Sequence, residues 1–332
     1  MIIENNNYTP LQTEDYIPAT AKRLLKKIIE NSSKKIILYG FSENMKWLFR
    51  LLKKEKINPV LCDWRDNFSK YDCGNKKLIH INKIKDNSEN LIVICIEDIN
   101  LLKLSINYLI KNNIKKSPVI YDRTQRHNPI EQEEPYKSIY DRAVLRAKSM
   151  ISKQQLFDLI QFVDQTKKIK GDVVEFGSLY GGSGAILAEA IKFFGIKKLW
   201  LFDSFSGIPK SSFGLDYCWT DSFSDNSLSA VSAAFSDLNF VKIINGNISK
   251  TYKKFEGSIS FGYLASDTLE TGITLLNFMW ERLSIGGIIT ICDYGSYPNC
   301  LPLTTYVDNF FEKKNNVFIY KPEKSGFVVR KN

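Results

Sequence analysis

The sequence predicts an α/β protein made of two Rossmann-like domains, each with a parallel sheet. Three observations carry that expectation. Short apolar runs alternate with helical ones between residues 34 and 122. Residues 171–184, GDVVEFGSLYGGSG, read as a buried strand, a glycine turn and the start of a helix. A second apolar run, KKLWLFDSF (197–205), ends near an acid, Asp203.

Residues 1–19 lack any period and read as an N-terminal arm. AKRLLKKIIENS is an amphipathic helix, and KKIILYG (34–40) a strand ending at Gly40. FSENMKWLFRLLKKEK continues as a helix, INPVLCD (57–63) as a strand ending at Asp63, and KKLIHINKIKD carries a short strand. NLIVICIED (90–98), the helix INLLKLSINYLIKNN and SPVIYD (117–122) complete an accessory Rossmann-like domain over 20–125. Its turn, GFSENM, has one glycine where dinucleotide binders carry three. Two readings stay open for it: a scaffold or subunit interface, or a nucleotide-sugar or dinucleotide site near Gly40 and Asp63. The polar stretch 126–145, with two prolines and an acidic cluster, reads as a linker, and the second domain then fills 146–332.

In the second domain Val173, Val174 and Phe176 are strand-forming, with the acid Glu175 among them. Gly177, Gly181 and Gly182 let backbone approach a ligand, and AILAEAIKFFG follows as a helix. Open α/β sheets bind ligands at the carboxyl ends of their strands. Asp203 lies 26 positions beyond Gly177, a spacing compatible with an acid that accepts hydrogen bonds from a ribose. The turn is EFGxxxGGS rather than GxGxxG and has no P-loop lysine. This set suits S-adenosylmethionine better than NAD: there is no pyrophosphate to place, and a cationic methionyl end favours nearby carboxylates. The candidate cofactor-binding residues are Glu175, Phe176, Gly177, Ser178, Tyr180, Gly181, Gly182 and Ser183, then Asp203, Ser204 and Phe205.

Asp267 stands just beyond the apolar run SISFGYLA (258–265) and is the candidate general base; burial raises a carboxyl pKa toward a useful value. Its alternative role is to cap the helix TLETGITLLNFMW. Asp293 ends GIITIC and either orients the acceptor or bonds its own loop. The two histidines, His80 and His127, fall outside the second domain, so a histidine base is not expected. KSSFGLDYCWTDSFSDNS (210–227) has no period and reads as a lid or acceptor loop, with Tyr217, Trp219 and Phe223 either stacking on a sugar or packing the loop down.

Over residues 147–300 the chain resembles the macrocin O-methyltransferase family of class I S-adenosylmethionine-dependent enzymes. The matching pieces are AKSMISKQQLFDLI, GDVVEFGSLYGGSGAILAEAI, LFDSFSGIP, IINGN and ERLSIGGIITICDYG, in that order. The resemblance implies a class I methyltransferase fold for the C-terminal domain, and it adds Gly246 and Asn247, after the run FVKIIN, to the candidate cofactor-binding residues, near the adenosine. It also implies O-methylation of a sugar, glycan precursor or glycosylated natural product. Where the family has D-x-D-x-Y this chain has Ala265-Ser266-Asp267-Thr268-Leu269, and where it has Asp-Asp-Tyr-Gly the chain has Cys292-Asp293-Tyr294-Gly295. Two of the three carboxylates that the resemblance assigns to Mg²⁺ are therefore replaced; Asp293 alone remains, and Mg²⁺ is not expected. The acid matching the family's base, Asp267, is kept. The alternatives are a non-catalytic protein that binds S-adenosylmethionine or a nucleotide sugar, and a methyltransferase with a nitrogen or carbon acceptor.

Length and composition bound these readings. The chain has 332 residues, enough for two domains, and 44% of them are apolar. No run of 18 apolar residues exists, so membrane insertion is not expected, and the N-terminus does not read as a signal peptide. Six cysteines without a CxxC pair read as reduced thiols in a cytoplasmic protein. The net charge of +10 is concentrated in residues 1–150, which hold 27 Lys/Arg against 18 Asp/Glu. These are lysines on solvated helix faces with no aromatic-interleaved basic motif, so the expected partner is a small molecule and not nucleic acid. A homo-oligomer remains open.

Overall fold

The structure, a computed structural model, describes residues 19–65, 77–122, 128–195, 197–322 and 326–332. The expected arm over 1–19 lies outside the described residues except for Ala19, as do His127 and Cys73. The chain divides into two compact units, Met1–Asn128 and Pro129–Asn332. Both are α/β with parallel sheets at their centre, the fold class the sequence predicts.

In the first unit, strands β1 (Lys35–Tyr39), β2 (Val60–Asp63), β3 (Ile79–His80), β4 (Asn90–Ile94) and β5 (Val119–Ile120) form one sheet in the order β3-β2-β1-β4-β5. All its pairings are parallel. Helices α1 (Ala19–Ile29), α2 (Glu43–Lys54) and α3 (Ile99–Lys111) accompany it. Ile36, Leu38 and Val93 pack to one core and Ile37, Tyr39 and Ile92 to another, which is the period-2 alternation of strands covered on both faces.

The second unit begins earlier than expected. Residues 126–145, read above as a linker, include helices α4 (Pro129–Gln132) and α5 (Tyr136–Arg146). The polar surface hides an apolar stripe: Ile130, Ile139 and Ala143 are buried in the unit's core. Charge anchors the same segment. Glu189, fully buried, accepts from Arg142 Nε at 2.8 Å and from Arg146 Nε at 2.6 Å. A buried carboxylate is tolerated when it is paired in this way.

Helix α6 (Lys153–Thr166) precedes the sheet strands β6 (Asp172–Phe176), β7 (Leu199–Asp203), β8 (Val241–Asn245), β9 (Ile259–Leu264), β10 (Leu283–Ile291), β11 (Val317–Tyr320) and β12 (Phe327–Lys331). Their order is β11-β12-β10-β9-β6-β7-β8. Strands β8, β7, β6, β9 and β10 run parallel, and β12 pairs antiparallel with both β10 and β11. Helix α7 (Gly182–Phe194) packs with α5 and α6, while α10 (Leu269–Arg282) and α11 (Leu301–Glu312) pack together. The short helices α8 (Leu228–Ala234) and α9 (Ile248–Thr251) flank β8. Strand order reverses at β6, which lies between β7 and β9, so the crevice beyond its carboxyl end is the expected ligand position.

Candidate active site

At the end of β6 the chain turns sharply. Gly177 has φ +96°, and a Cβ there would lie 2.3 Å from the Ala265 carbonyl oxygen, so only glycine lets the turn cross the end of β9. A Cβ on Gly182 would meet the Lys148 carbonyl at 2.4 Å, because the segment before α6 runs directly over the same turn.

Asp203 ends β7 and joins the two loops. Its Oδ2 accepts from the Leu179 amide at 2.8 Å and its Oδ1 from the Phe205 amide at 2.8 Å. Leu179 and Phe205 sit at φ +47° and +49°, a region that side chains other than glycine seldom occupy, and the shared carboxylate holds both there.

Beyond these strand ends lies a cavity of about 880 Å³. Eight of the predicted cofactor residues line it: Gly177, Ser178, Tyr180, Gly182, Ser183, Asp203, Ser204 and Asn247. The other five do not line it. Glu175 is fully buried under the turn, where Ser178 Oγ donates to it at 3.3 Å and Ser183 Oγ donates to its other oxygen. Two serines of its own loop, rather than a ligand, are thus its partners, and burial pushes its pKa up to about 8. Phe176 packs in the core with its ring 4.8 Å from that of Phe202. The Phe205 ring is likewise in the core, and only its amide reaches Asp203. Gly181 caps α7 from the left-handed region, at φ +81°. Gly246 bonds its amide to the Asp203 carbonyl at 2.9 Å, beside Asn247.

The same cavity is lined by Asp267, Asp293 and Cys292, beyond the ends of β9 and β10. Burial, reinforced by the charge of Asp293, pushes the Asp267 carboxyl up to about 7. Its alternative role as a helix cap is not seen. Thr268 holds the N-cap position of α10 without a side-chain bond, and the helix amides of Leu269 and Glu270 donate instead to Asp216, at 2.7 and 3.0 Å. The Cys292 thiol donates to Asp293 at 3.2 Å and receives a contact from Gln155 Nε2 at 3.8 Å. Burial pushes that thiol well above its usual range, so it is neutral. A neutral thiol and the Ala265 methyl are not oxygen donors, and this donor set does not fit Mg²⁺. Among the described residues no three or more His, Cys, Asp or Glu side chains gather to hold a metal ion.

Trp219 and Phe223 line the cavity with their rings stacked at 6.4 Å and 24°. Tyr217, expected beside them, is 79% exposed and points away, because it falls on the outer side of a 3₁₀ turn, Gly214–Trp219.

Sequence reasoning missed Asp216, the Lys148–Ser152 segment and Gln155 as parts of this site. A signal existed for the last: Ser152 and Gln155 form a capping box, S-x-x-Q, that fixes where α6 begins. Asp216 gave none, since the helix amides it holds, those of Leu269 and Glu270, are more than 50 residues away.

In the first unit, Gly40 and Asp63 do meet at the sheet's carboxyl end, but the chain itself satisfies them. A Cβ on Gly40 would strike the Ile96 side chain at 2.3 Å, so packing explains the glycine. Asp63 is fully buried; it accepts the amides of Phe41 and Arg65 at 2.6 and 2.9 Å and the Arg65 guanidinium at 2.6 Å. These contacts favour the scaffold reading.

The sequence profile of the family described as Macrocin-O-methyltransferase (TylF) matches residues 111–318. No curated protein matches the chain. Among solved structures, the O-methyltransferase NovP is 20% identical, covering 55% of this chain and 81% of that one, with a TM-score of 0.48. The calicheamicin methyltransferase CalS11 is 14% identical, covering 65% and 99%, with a TM-score of 0.44. The Podospora anserina methyltransferase PaMTH1, solved with S-adenosylhomocysteine, is 15% identical, covering 59% and 87%, with a TM-score of 0.43.

Proposed function

The chain belongs to the macrocin-O-methyltransferase family, and on that premise we propose that this S-adenosylmethionine-dependent methyltransferase acts on a hydroxyl of a sugar, a glycan precursor or a glycosylated natural product. The observation that carries the reading is one cavity at the ends of four neighbouring strands, lined by a bare-backbone turn and Asp203 and also by Asp267 and Asp293.

The residues present fit the donor. Gly177, Ser178 and Gly182 would bring backbone against it, and Asp203 would accept from the ribose hydroxyls. Glu175 shapes that turn from below through Ser178 and Ser183. When bound, S-adenosylmethionine supplies an electrophilic methyl group.

Asp267 would take the proton of the acceptor hydroxyl onto its carboxylate. A carboxyl at about 7 is matched to that task, since a general base works best near ambient pH. Asp293 orients the acceptor by accepting a hydrogen bond and holds the Asp267 carboxyl up by its charge. Trp219 and Phe223 would lie on the apolar face of a sugar ring and exclude water. No step is routed through Mg²⁺. One observation favours an amine acceptor as a second reading: the lining holds the acids Asp203, Asp267 and Asp293, with Lys148 the one cationic side chain among the described lining residues.

The test is transfer of a ¹³C-methyl group from labelled S-adenosylmethionine to a panel of neutral sugars, nucleotide sugars and amino sugars, read by NMR. An O-methyl product supports the proposal. An N-methyl product moves the reading to the amine, and no product with any sugar sinks it.

A further inference from the structure

The segment between β7 and α8 is more than a covering loop. Its base is closed by two backbone bonds, from the Ile208 amide to the Ser222 carbonyl at 2.9 Å and from the Asp221 amide to the Ile208 carbonyl at 3.1 Å. Inside it Asp216 is 2% exposed and reaches the first turn of α10. The contact is reciprocal. Glu270, in that first turn, accepts from the Ser212 amide at 2.8 Å, from Ser212 Oγ at 2.5 Å and from Ser211 Oγ at 2.6 Å, and Ser211 Oγ also reaches Asp216 at 2.8 Å. Two acids and two serines thus fasten the loop to the helix at a terminus whose dipole favours negative charge.

The position of this latch gives it a role. Asp267 lies two residues before Leu269, whose amide Asp216 holds. On its other side the chain is pinned to the sheet, where the Ala265 amide donates to the Phe176 carbonyl at 2.8 Å. The carboxyl that faces the cavity is therefore held between the sheet and the latch. The same loop carries Trp219 and Phe223 into the cavity.

We propose that Asp216 and Glu270 are positioning residues that couple closure of the 207–226 loop to placement of Asp267, so that the aromatic lid and the base are set as one unit. The inference rests on the function proposed above for Asp267. It predicts that loosening the latch frees the lid and the 265–270 segment together, with the glycine turn untouched.

The experiment uses the full chain with Asp216→Asn and Glu270→Gln, followed by hydrogen exchange and steady-state kinetics. An asparagine places an amide group against donors, so exchange should rise in both 208–223 and 265–270 while 177–183 stays as in wild type. The kcat should fall roughly 10- to 100-fold, as misplacement of a reacting group by about an ångström does, with affinity for S-adenosylhomocysteine unchanged. Glu270→Gln weakens only the serine contacts and leaves Asp216 on the helix amides, so it should show the same pattern in smaller degree; it serves if Asp216→Asn does not fold. Faster exchange confined to 208–223, or wild-type kcat in a variant whose loop is loosened, overturns the coupling. Exchange needs no turnover, so a wild-type protein that methylates nothing would defeat the functional reading and still leave the latch decided.

Discussion

Asp267 gives a prediction whose size follows from its surroundings. An ordinary Asp titrates at 3.8, and burial with the charge of Asp293 moves this one to about 7. If its carboxylate takes the acceptor proton, kcat/KM must follow its ionised fraction: about a tenth at pH 6, half at pH 7 and nine-tenths at pH 8. The rate should therefore rise about fivefold from pH 6 to 7 and less than twofold from 7 to 8. Asp293→Asn removes the second cause and leaves burial, so the midpoint should move to lower pH without reaching 3.8. Stability carries the opposite sign. A carboxyl whose pKa is raised by folding binds its proton more tightly in the native state, so stability is fullest below about pH 4 and falls as pH rises to about 7. The displacement of about three units caps that loss at about 4 kcal/mol, reduced because the residue is only half-buried and lines the cavity. Asp267→Asn should accordingly melt higher than wild type at pH 8, by a few degrees, while turnover disappears. Initial rates by a coupled S-adenosylhomocysteine assay, with calorimetric melting at pH 5 and 8, measure both. A flat kcat/KM between pH 5 and 8, or an active Asp267→Asn enzyme, would refute the assignment.

Other consequences are simpler to read. Asp203→Ala leaves the Leu179 and Phe205 amides without acceptors in strained conformations, so both melting temperature and S-adenosylhomocysteine affinity should drop, the latter at least about tenfold by titration calorimetry. Glu175→Gln should bind the cofactor nearly as wild type at pH 7, because the native carboxyl is already largely protonated beneath its serines, whereas Glu175→Ala should cost about 2–4 kcal/mol of stability in denaturant titrations. EDTA should leave initial rates unchanged, since the thiol and methyl at 292 and 265 are poor Mg²⁺ donors; loss of activity that added Mg²⁺ restores would overturn that reading.

What the sequence made legible was what depends on near neighbours. The strand, turn and helix around Gly177 are written in adjacent residues, and so is the spacing to Asp203. Side-chain direction was less legible. Glu175 looked like a ligand contact because its serine partners, three and eight positions on, were counted as ligand residues themselves. Residues 126–145 looked like a linker because the charges of Arg142 and the adjoining Arg146 are matched by Glu189 and Asp237, far along the chain. Asp216 was invisible for the same reason: its role exists only once the loop lies on α10.

The donor must lie against the glycine turn for these roles to hold. A crystal structure of the protein soaked with S-adenosylhomocysteine tests this most directly. Density along Gly177–Ser183, with ribose hydroxyls at Asp203 and the sulfur toward Asp267, is the expected result. Density in any other place, or a cavity that stays empty at saturating ligand, would contradict it.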